Sequence, residues 1–292
     1  MAESKKNHHF VPQGLLRNWY TEHDGENQGF RKYQRNYSGE IVLNKNIIST
    51  KSTCSQENLN TTYTKLFLLD QEYELDTNLI EDKLAEIDTK GVETIQKILS
   101  IKSFNNLNSS DKESLSKFIL SLHLRHPKTI ESVMDDVSER GAQIFDIIKK
   151  NIEKQENFSH IDLMQRNNAL ISMIDILRNK ENYEHILEME WFLINSEGIE
   201  FFTGEKPLIV NFSENERIFS FGFALALSPT VLMIGADRRI FGEGGVKKQQ
   251  LFEFIAPHYN LLVGMQSKYV ITTKALPEEL FDIFIKDNLT PL

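Results

Sequence analysis

Two adjacent imidazoles, His8 and His9, stand near the start of the sequence within Asn7-His8-His9-Phe10-Val11-Pro12. Imidazole changes charge near neutral pH, so either ring can act as a metal ligand, a general base or a contact to phosphate. Neighbouring side chains on an extended segment point to opposite sides. One ring is therefore expected to face a site while the other packs or caps; the alternative is a partly ordered N-terminal arm.

Glu81 and Asp88 lie seven residues apart in a stretch of helical spacing. That places both carboxylates on one helix face, two turns or ~10 Å apart. The separation suits neither a shared metal nor a direct acid–base pair unless another element enters between them, and a solvated face is the ordinary alternative. Glu81-Asp82-Lys83 also matches the Glu-x-Lys half of a restriction-type nuclease motif. That motif needs a strand and a preceding Asp, so the match is treated as chance.

Arg125, in Leu124-Arg125-His126-Pro127, falls on the apolar side of a helix that stops at a proline. Burying a guanidinium is costly without a carboxylate or phosphate partner. Glu81 or Asp88 as that partner would make Arg125 an orienting residue; a purely structural ion pair is the other account. Phe202-Thr203-Gly204-Glu205-Lys206-Pro207 falls between two expected strands, which gathers a hydroxyl, a carboxylate and an ammonium on one loop at a sheet end. Leu227-Ser228-Pro229 and Asn260 read as turn and helix polar residues. Phe241 to Lys248 is glycine-rich and precedes a helix, but it lacks the spacing of a phosphate-binding loop and reads as a flexible connection. No nucleophile elbow, His-Glu-x-x-His helix or kinase signature is present. Cys54 has no adjacent histidine and is not expected to be a nucleophile.

The elements that must position these residues fall into three blocks. Over 1–75 the chain is polar and irregular. Pro12 can open a short helix carrying Leu15, Leu16 and Trp19, and strands at Phe30 to Arg35 and Glu40 to Leu43 flank the turn residues Asn36 to Gly39. Over 76–187 the apolar spacing is helical, through Leu79, Leu84, Ile87, Val92, Ile95 and Ile98, then Leu115, Phe118, Ile119 and Leu122. Further helices are expected at about 129–153 and 161–179, and an N-cap at Ser109-Ser110-Asp111. Over 188–292 strands are expected at Trp191 to Ile194, Ile199 to Thr203, Leu208 to Phe212, Ile218 to Leu225 and Val231 to Gly235. A helix over Lys247 to Met265, a strand at Tyr269 to Thr273 and a closing helix from Pro277 complete the pattern. The expectation is an α+β fold whose three blocks interlock as one domain, with a mixed or antiparallel C-terminal sheet.

At 292 residues, 40% hydrophobic and 26% charged, the chain can bury a substantial core. No apolar run is long enough to span a membrane and no apolar signal core follows the polar start, so a cytoplasmic protein is expected. One cysteine excludes an internal disulfide and a multi-thiolate zinc site; any metal would need His and carboxylate ligands. A net charge of −9 argues against broad contact with duplex DNA. It leaves room for a local basic patch beside an acidic cleft.

In this order the segments resemble a bacterial family known as domain of unknown function 4238. The resemblance rests on His8-His9-Phe10-Val11-Pro12-Gln13 with Leu16-Arg17-Asn18-Trp19, on Cys54 with Glu57-Asn58, and on the acidic helix from Ile80-Glu81 to Ile87-Asp88. It continues through Arg125 with Pro127, the loop from Thr203 to Pro207, and Leu227-Ser228-Pro229. Three positions depart from the family pattern: Asp88 stands for a usual Glu, Gly204-Glu205 for Ser-Asp, and Gly14-Leu15 for an aromatic pair. The resemblance implies a setting in bacterial defence against phage, with a phage-derived trigger or a homo-oligomer as partners.

Within that setting the His, Glu, Asp and Arg mixture points to a nuclease, RNA being favoured over DNA. The expected catalytic residues are His8, His9, Glu81, Asp88 and Glu205, with Arg17, Arg125, Lys206 and Asn260 binding substrate and Mg²⁺ or Mn²⁺ as the divalent ion. A non-catalytic sensor, in which the same polar residues tie arm to core, and a small-molecule or nucleotide hydrolase are the alternatives. All of these depend on the N-terminal imidazoles meeting the acidic helix face.

Overall fold

A computed structural model describes residues 7–23, 27–36, 38, 40–44, 47–64, 74–76, 78–135, 159–196, 198, 200–211, 222–238, 248–286 and 289. The N-terminal arm is a strand, β1 (Asn7–His9), paired antiparallel with β6 (Ser55–Glu57) so that His8 faces Gln56 and His9 faces Ser55. Alternation along β1 buries His8 and leaves His9 half-buried. Pro12 then precedes a single helical turn, α1 (Gln13–Leu16), its carbonyl accepting from the N–H groups of Leu15 and Leu16. Leu15, Leu16 and Trp19 are fully buried. The indole N–H of Trp19 donates to the Phe201 carbonyl at 2.9 Å, and the Asn18 amide donates to the Leu227 carbonyl at 2.7 Å. These bonds bind the arm to segments far along the chain.

The helical block is dominated by α2 (Leu79–Ile101) and α3 (Ser109–Leu124). Ile80, Leu84, Ile95 and Ile98 form the buried stripe of α2, facing Leu115, Phe118 and Ile119 of α3 in one apolar core. Gly91 lets the two helices cross closely, since a β-carbon there would lie 2.3 Å from the Phe118 ring. The start of α3 lies one residue from the expected cap. Asn108, not Ser109, accepts from the Asp111 N–H, and Asp111 accepts from the Asn108 N–H in return. Arg125 closes α3, and residues 127–135 are again helical (α4). Two more helices, α5 (Ser159–Arg178) and α6 (Glu181–Glu188), complete the block. The remainder of the helix expected over 129–153 lies outside the described residues.

Every strand pairing among the described residues is antiparallel, including the short pairs β2 (Thr21–His23) with β3 (Asn27–Gly29) and β7 (Thr62–Thr64) with β8 (Glu74–Asp76). One four-stranded sheet runs β11 (Leu208–Asn211), β12 (Gly222–Ser228), β13 (Val231–Ala236), β9 (Glu190–Asn195). The other runs β10 (Thr203–Gly204), β14 (Tyr269–Thr272), β4 (Arg31–Arg35), β5 (Ile41–Leu43), so the N-terminal hairpin is completed by the last strand of the chain. The strand expected over Ile199 to Thr203 shrinks to Thr203–Gly204. The cause is Asn260, on α7 (Lys248–Gln266): its side chain accepts from the Phe202 N–H and donates to the Glu200 carbonyl, taking up groups a ladder would have used. The closing helix is one turn, α8 (Glu278–Phe281), widening into a π turn at Asp282–Lys286. These elements make the chain α+β, as its spacing predicts. The glycine-rich segment preceding Lys248 lies outside the described residues. No helix among them is long and apolar enough to cross a membrane.

Candidate functional site

Five of the polar residues singled out by type, His8, His9, Glu81, Asp88 and Arg125, are linked through β1, residue 60, α2 and the end of α3. Arg125 is the centre. Its side chain is 0% exposed, and Nη1 donates to Oδ2 of Asp88 at 2.9 Å. Nη2 comes within 2.8 Å of Oδ1, but its N–H bonds are poorly directed there, so Nη2 and Nε remain buried donors without a hydrogen bond. The pair is thus a close ion pair with one well-formed bond.

Asp88 keeps 23% of its side chain accessible. Burial nevertheless raises its carboxyl above the usual carboxylate value. The positive charge of Arg125 and its hydrogen bond pull the other way, the charge of Glu81 adds to the rise, and that of His9 opposes it. Four of the expected residues therefore act on one another through space.

The two imidazoles divide as the pleat requires. His8 is sealed, its Nδ1 accepting from the Asn60 backbone N–H at 2.7 Å. The Asn60 side-chain amide donates to Oε2 of Glu81 at 2.9 Å, so one residue links the arm to the acidic helix. His9 places Nε2 3.0 Å from the Thr50 carbonyl. A carbonyl only accepts, so Nε2 carries the proton and neutral His9 keeps its lone pair on Nδ1. Thr50 is itself fixed by Gln13 and Tyr20, which hold the ring's anchor from two sides. An imidazole held at one nitrogen with a lone pair on the other is arranged as a base.

The remaining expected residues stand apart from this cluster. Arg17 is exposed and meets Gln13 at 3.5 Å, because Leu15, Leu16 and Trp19 take the buried face of its turn. Asn260 is 1% exposed and spends both ends of its amide on the 200–202 backbone. The Glu205 carboxylate accepts from the Lys268 N–H at 3.0 Å, at the end of the β10–β14 pair. Lys206 belongs to a second, basic group. Its charge and those of Lys128, His123 and Lys268 act on His126 through space. Among the described residues no three His, Cys, Asp or Glu side chains gather in a way that could hold a metal.

Asn60, Thr50 and His126 carry no signal of their own in residue type. Only their neighbourhood, between the cysteine element and the acidic helix or beside Arg125, points to them. Cys54 is a structural hub: its carbonyl accepts from the Phe10 N–H at 2.9 Å, its N–H donates to the Tyr269 hydroxyl, and its thiol lies 3.4 Å from the Gly204 carbonyl. It adopts a left-handed backbone, φ 53°, which turns its backbone toward the arm and its thiol toward the sheet.

No curated protein and no solved structure matches the chain. A family model does, over residues 7–273, a span that takes in the paired imidazoles, the cysteine element, the acidic helix, Arg125 and the loop from Thr203 to Pro207. With most of its length matched, from the arm through the last strand, the chain belongs to the family described as protein of unknown function (DUF4238).

Proposed function

We propose that the chain is a phosphodiester hydrolase acting on nucleic acid, with RNA favoured over DNA, and that it serves as an effector in defence against phage. The observation that carries the catalytic reading is the anchoring of His9 through Nε2, which leaves the lone pair on Nδ1, together with a carboxyl, Asp88, that burial raises and on which the charge of His9 acts. In this reading His9 takes the proton of the attacking hydroxyl or water, and Asp88 delivers one to the leaving oxygen. Arg125 fixes the Asp88 carboxyl, and the charge of Glu81 adds to the rise that lets Asp88 hold its proton. A divalent ion, Mg²⁺ or Mn²⁺, would have to come with the substrate, because no three described carboxylate, imidazole or thiol groups gather to hold one. The defence setting is supported by the family resemblance alone.

The test uses the folded wild type with His9→Gln and Glu81→Ala, incubated with total RNA and with plasmid DNA, with and without Mg²⁺ or Mn²⁺. Glutamine can still donate to the Thr50 carbonyl but cannot act as a base. His9→Gln is expected to slow RNA cleavage by about 10²-fold or more while leaving stability nearly unchanged. No cleavage by any of the three proteins in any condition removes the reading.

A second reading has its own support. His8 and Arg125 are both 0% exposed, and their partners tie the arm to residues 50–60, α2 and α3. That is the arrangement of a polar clamp in a non-catalytic sensor, and it would show as loss of stability without any activity to lose.

A further inference from the structure

The loop from Thr203 to Pro207 is held unusually firmly for a segment rich in charge. The Lys206 N–H donates to the Ser267 hydroxyl at 3.1 Å, its carbonyl accepts from the Gln266 amide, and the Pro207 carbonyl accepts from the Tyr259 hydroxyl at 2.7 Å. The facing strand end carries Lys268, whose N–H is taken by Glu205. Both lysines are half-buried, and the end of α3 brings His123 and His126 with Lys128 against them.

Among the described residues none of Lys128, Lys206 and Lys268 has an ion-pair partner. The nearest carboxylate, Glu205, is shared with Lys32, whose ammonium also sits 4.0 Å from the centre of the Tyr269 ring. Three ammonium groups therefore act together on one buried imidazole, that of His126, in a protein of net charge −9. Such gathering of like charge is unfavourable unless an anion joins it.

His126 supplies an independent sign. Its ring is 5% exposed, and Nδ1 accepts from the Lys128 N–H at 3.3 Å, so the proton resides on Nε2. That Nε2–H is buried without a hydrogen-bond partner. A donor of this kind costs stability as it stands and is satisfied by an acceptor.

We propose that Lys128, Lys206 and Lys268, gathered around the buried imidazole of His126, form a binding subsite for an oxyanion of the phosphate class. Ammonium groups hold phosphate as point charges, and the imidazole N–H adds a directed bond. The subsite adjoins the cluster described above: His126 follows Arg125, and its ring meets that of Phe10, next to His9, edge to face at 5.6 Å. Binding itself does not require that the cluster cleave anything, so this inference survives failure of the hydrolase reading.

The experiment follows the His126 imidazole by NMR in the full chain while inorganic phosphate is added at constant ionic strength. Burial and the surrounding lysines hold this imidazole at about 4. Saturating phosphate is expected to raise its titration midpoint by about one to three pH units, as an adjacent opposite charge does. Lys206→Gln with Lys268→Gln should weaken phosphate binding on the order of tenfold or more, and Lys128→Gln, at an exposed position, by several-fold. AMP and a short oligoribonucleotide are run beside phosphate. Tighter binding of either supports the subsite and tells whether its phosphate comes from a mononucleotide or a chain. A His126 response that chloride reproduces, or phosphate affinity unchanged in the double variant, overturns the proposal.

Discussion

The guanidinium of Arg125 is fully buried, and the carboxylate of Asp88 is its one ion-pair partner among the described residues. Removing one member of such a pair leaves the other as an uncompensated charge or an unsatisfied polar group. Arg125→Ala is therefore expected to destabilise the protein by about 3–5 kcal/mol, measured by urea unfolding. Replacing both, as Arg125→Met with Asp88→Leu, should recover much of that loss, because the desolvation penalty goes with the charges. A double variant no better than the single one would mean that Arg125 acts through packing alone.

His126 makes stability depend on pH in a defined direction. Burial first, then the charges of Lys206, Lys128, His123 and Lys268, lower its pKa from 6.5 to about 4. Between those values the unfolded chain holds a proton that the folded protein does not. The contribution is fully present above pH 6.5 and is lost as pH falls toward 4, up to about 3 kcal/mol for this ring. His123, lowered to about 4 by burial and by Lys206, acts in the same window. Asp88 and Glu200 oppose this trend. Burial raises both carboxyls, so their stabilising contribution belongs to acid pH and fades as pH rises through the raised values. Urea titrations from pH 7 to pH 4 should show a fall in stability that His126→Gln reduces and Asp88→Asn deepens.

The parts of this arrangement legible from residue types were those with a strict period or a costly burial. The strand-like arm divides His8 from His9 because a pleat has period two, and Arg125, costly to bury without a carboxylate or phosphate partner, meets the carboxylate of Asp88. Glu81 and Asp88 each meet a different neighbour: Arg125 pairs with Asp88, and Asn60 is the residue that bridges to Glu81. Its role rests on a backbone N–H and an amide, groups that many positions could supply, so residue type does not betray it. Glu205, Arg17 and Asn260 show the converse. Each has a suitable side chain, but a backbone N–H, a solvent-facing turn and a missing strand ladder claim it.

Cys54 tests the reading of the cysteine element as structural. Burial raises its thiol to about 12. At pH 8 that leaves about a thousandfold less thiolate than an exposed cysteine would have. Iodoacetamide should leave the native protein unlabelled over a period in which the urea-unfolded chain reacts completely. Rapid labelling of the native state would instead mark Cys54 as reactive.

Asn60 offers the sharpest test of the link between arm and helix, because its backbone and side chain can be separated. The N–H that satisfies His8 survives any substitution except proline, so a change of side chain reports on Glu81 alone. Asn60→Ala removes one hydrogen bond to a carboxylate, which is expected to cost about 1.5–3 kcal/mol. Asn60→Asp does something different: it sets a second carboxylate where a donor stood, within hydrogen-bond distance of the first. At pH 7 the two charges repel and the loss should exceed that of Asn60→Ala. As pH falls, one carboxyl of the pair takes up a proton and donates to the other, so the aspartate variant should regain stability while the alanine variant does not. The shared proton raises the folded pair's pKa above its unfolded value, which is why the recovery comes with acid. Urea unfolding of both variants at pH 7 and pH 4 measures this crossing. If the aspartate variant matched wild type at pH 7, Glu81 would not face residue 60 as an ionised group, and the route from the sealed imidazole of His8 to the acidic helix would be broken.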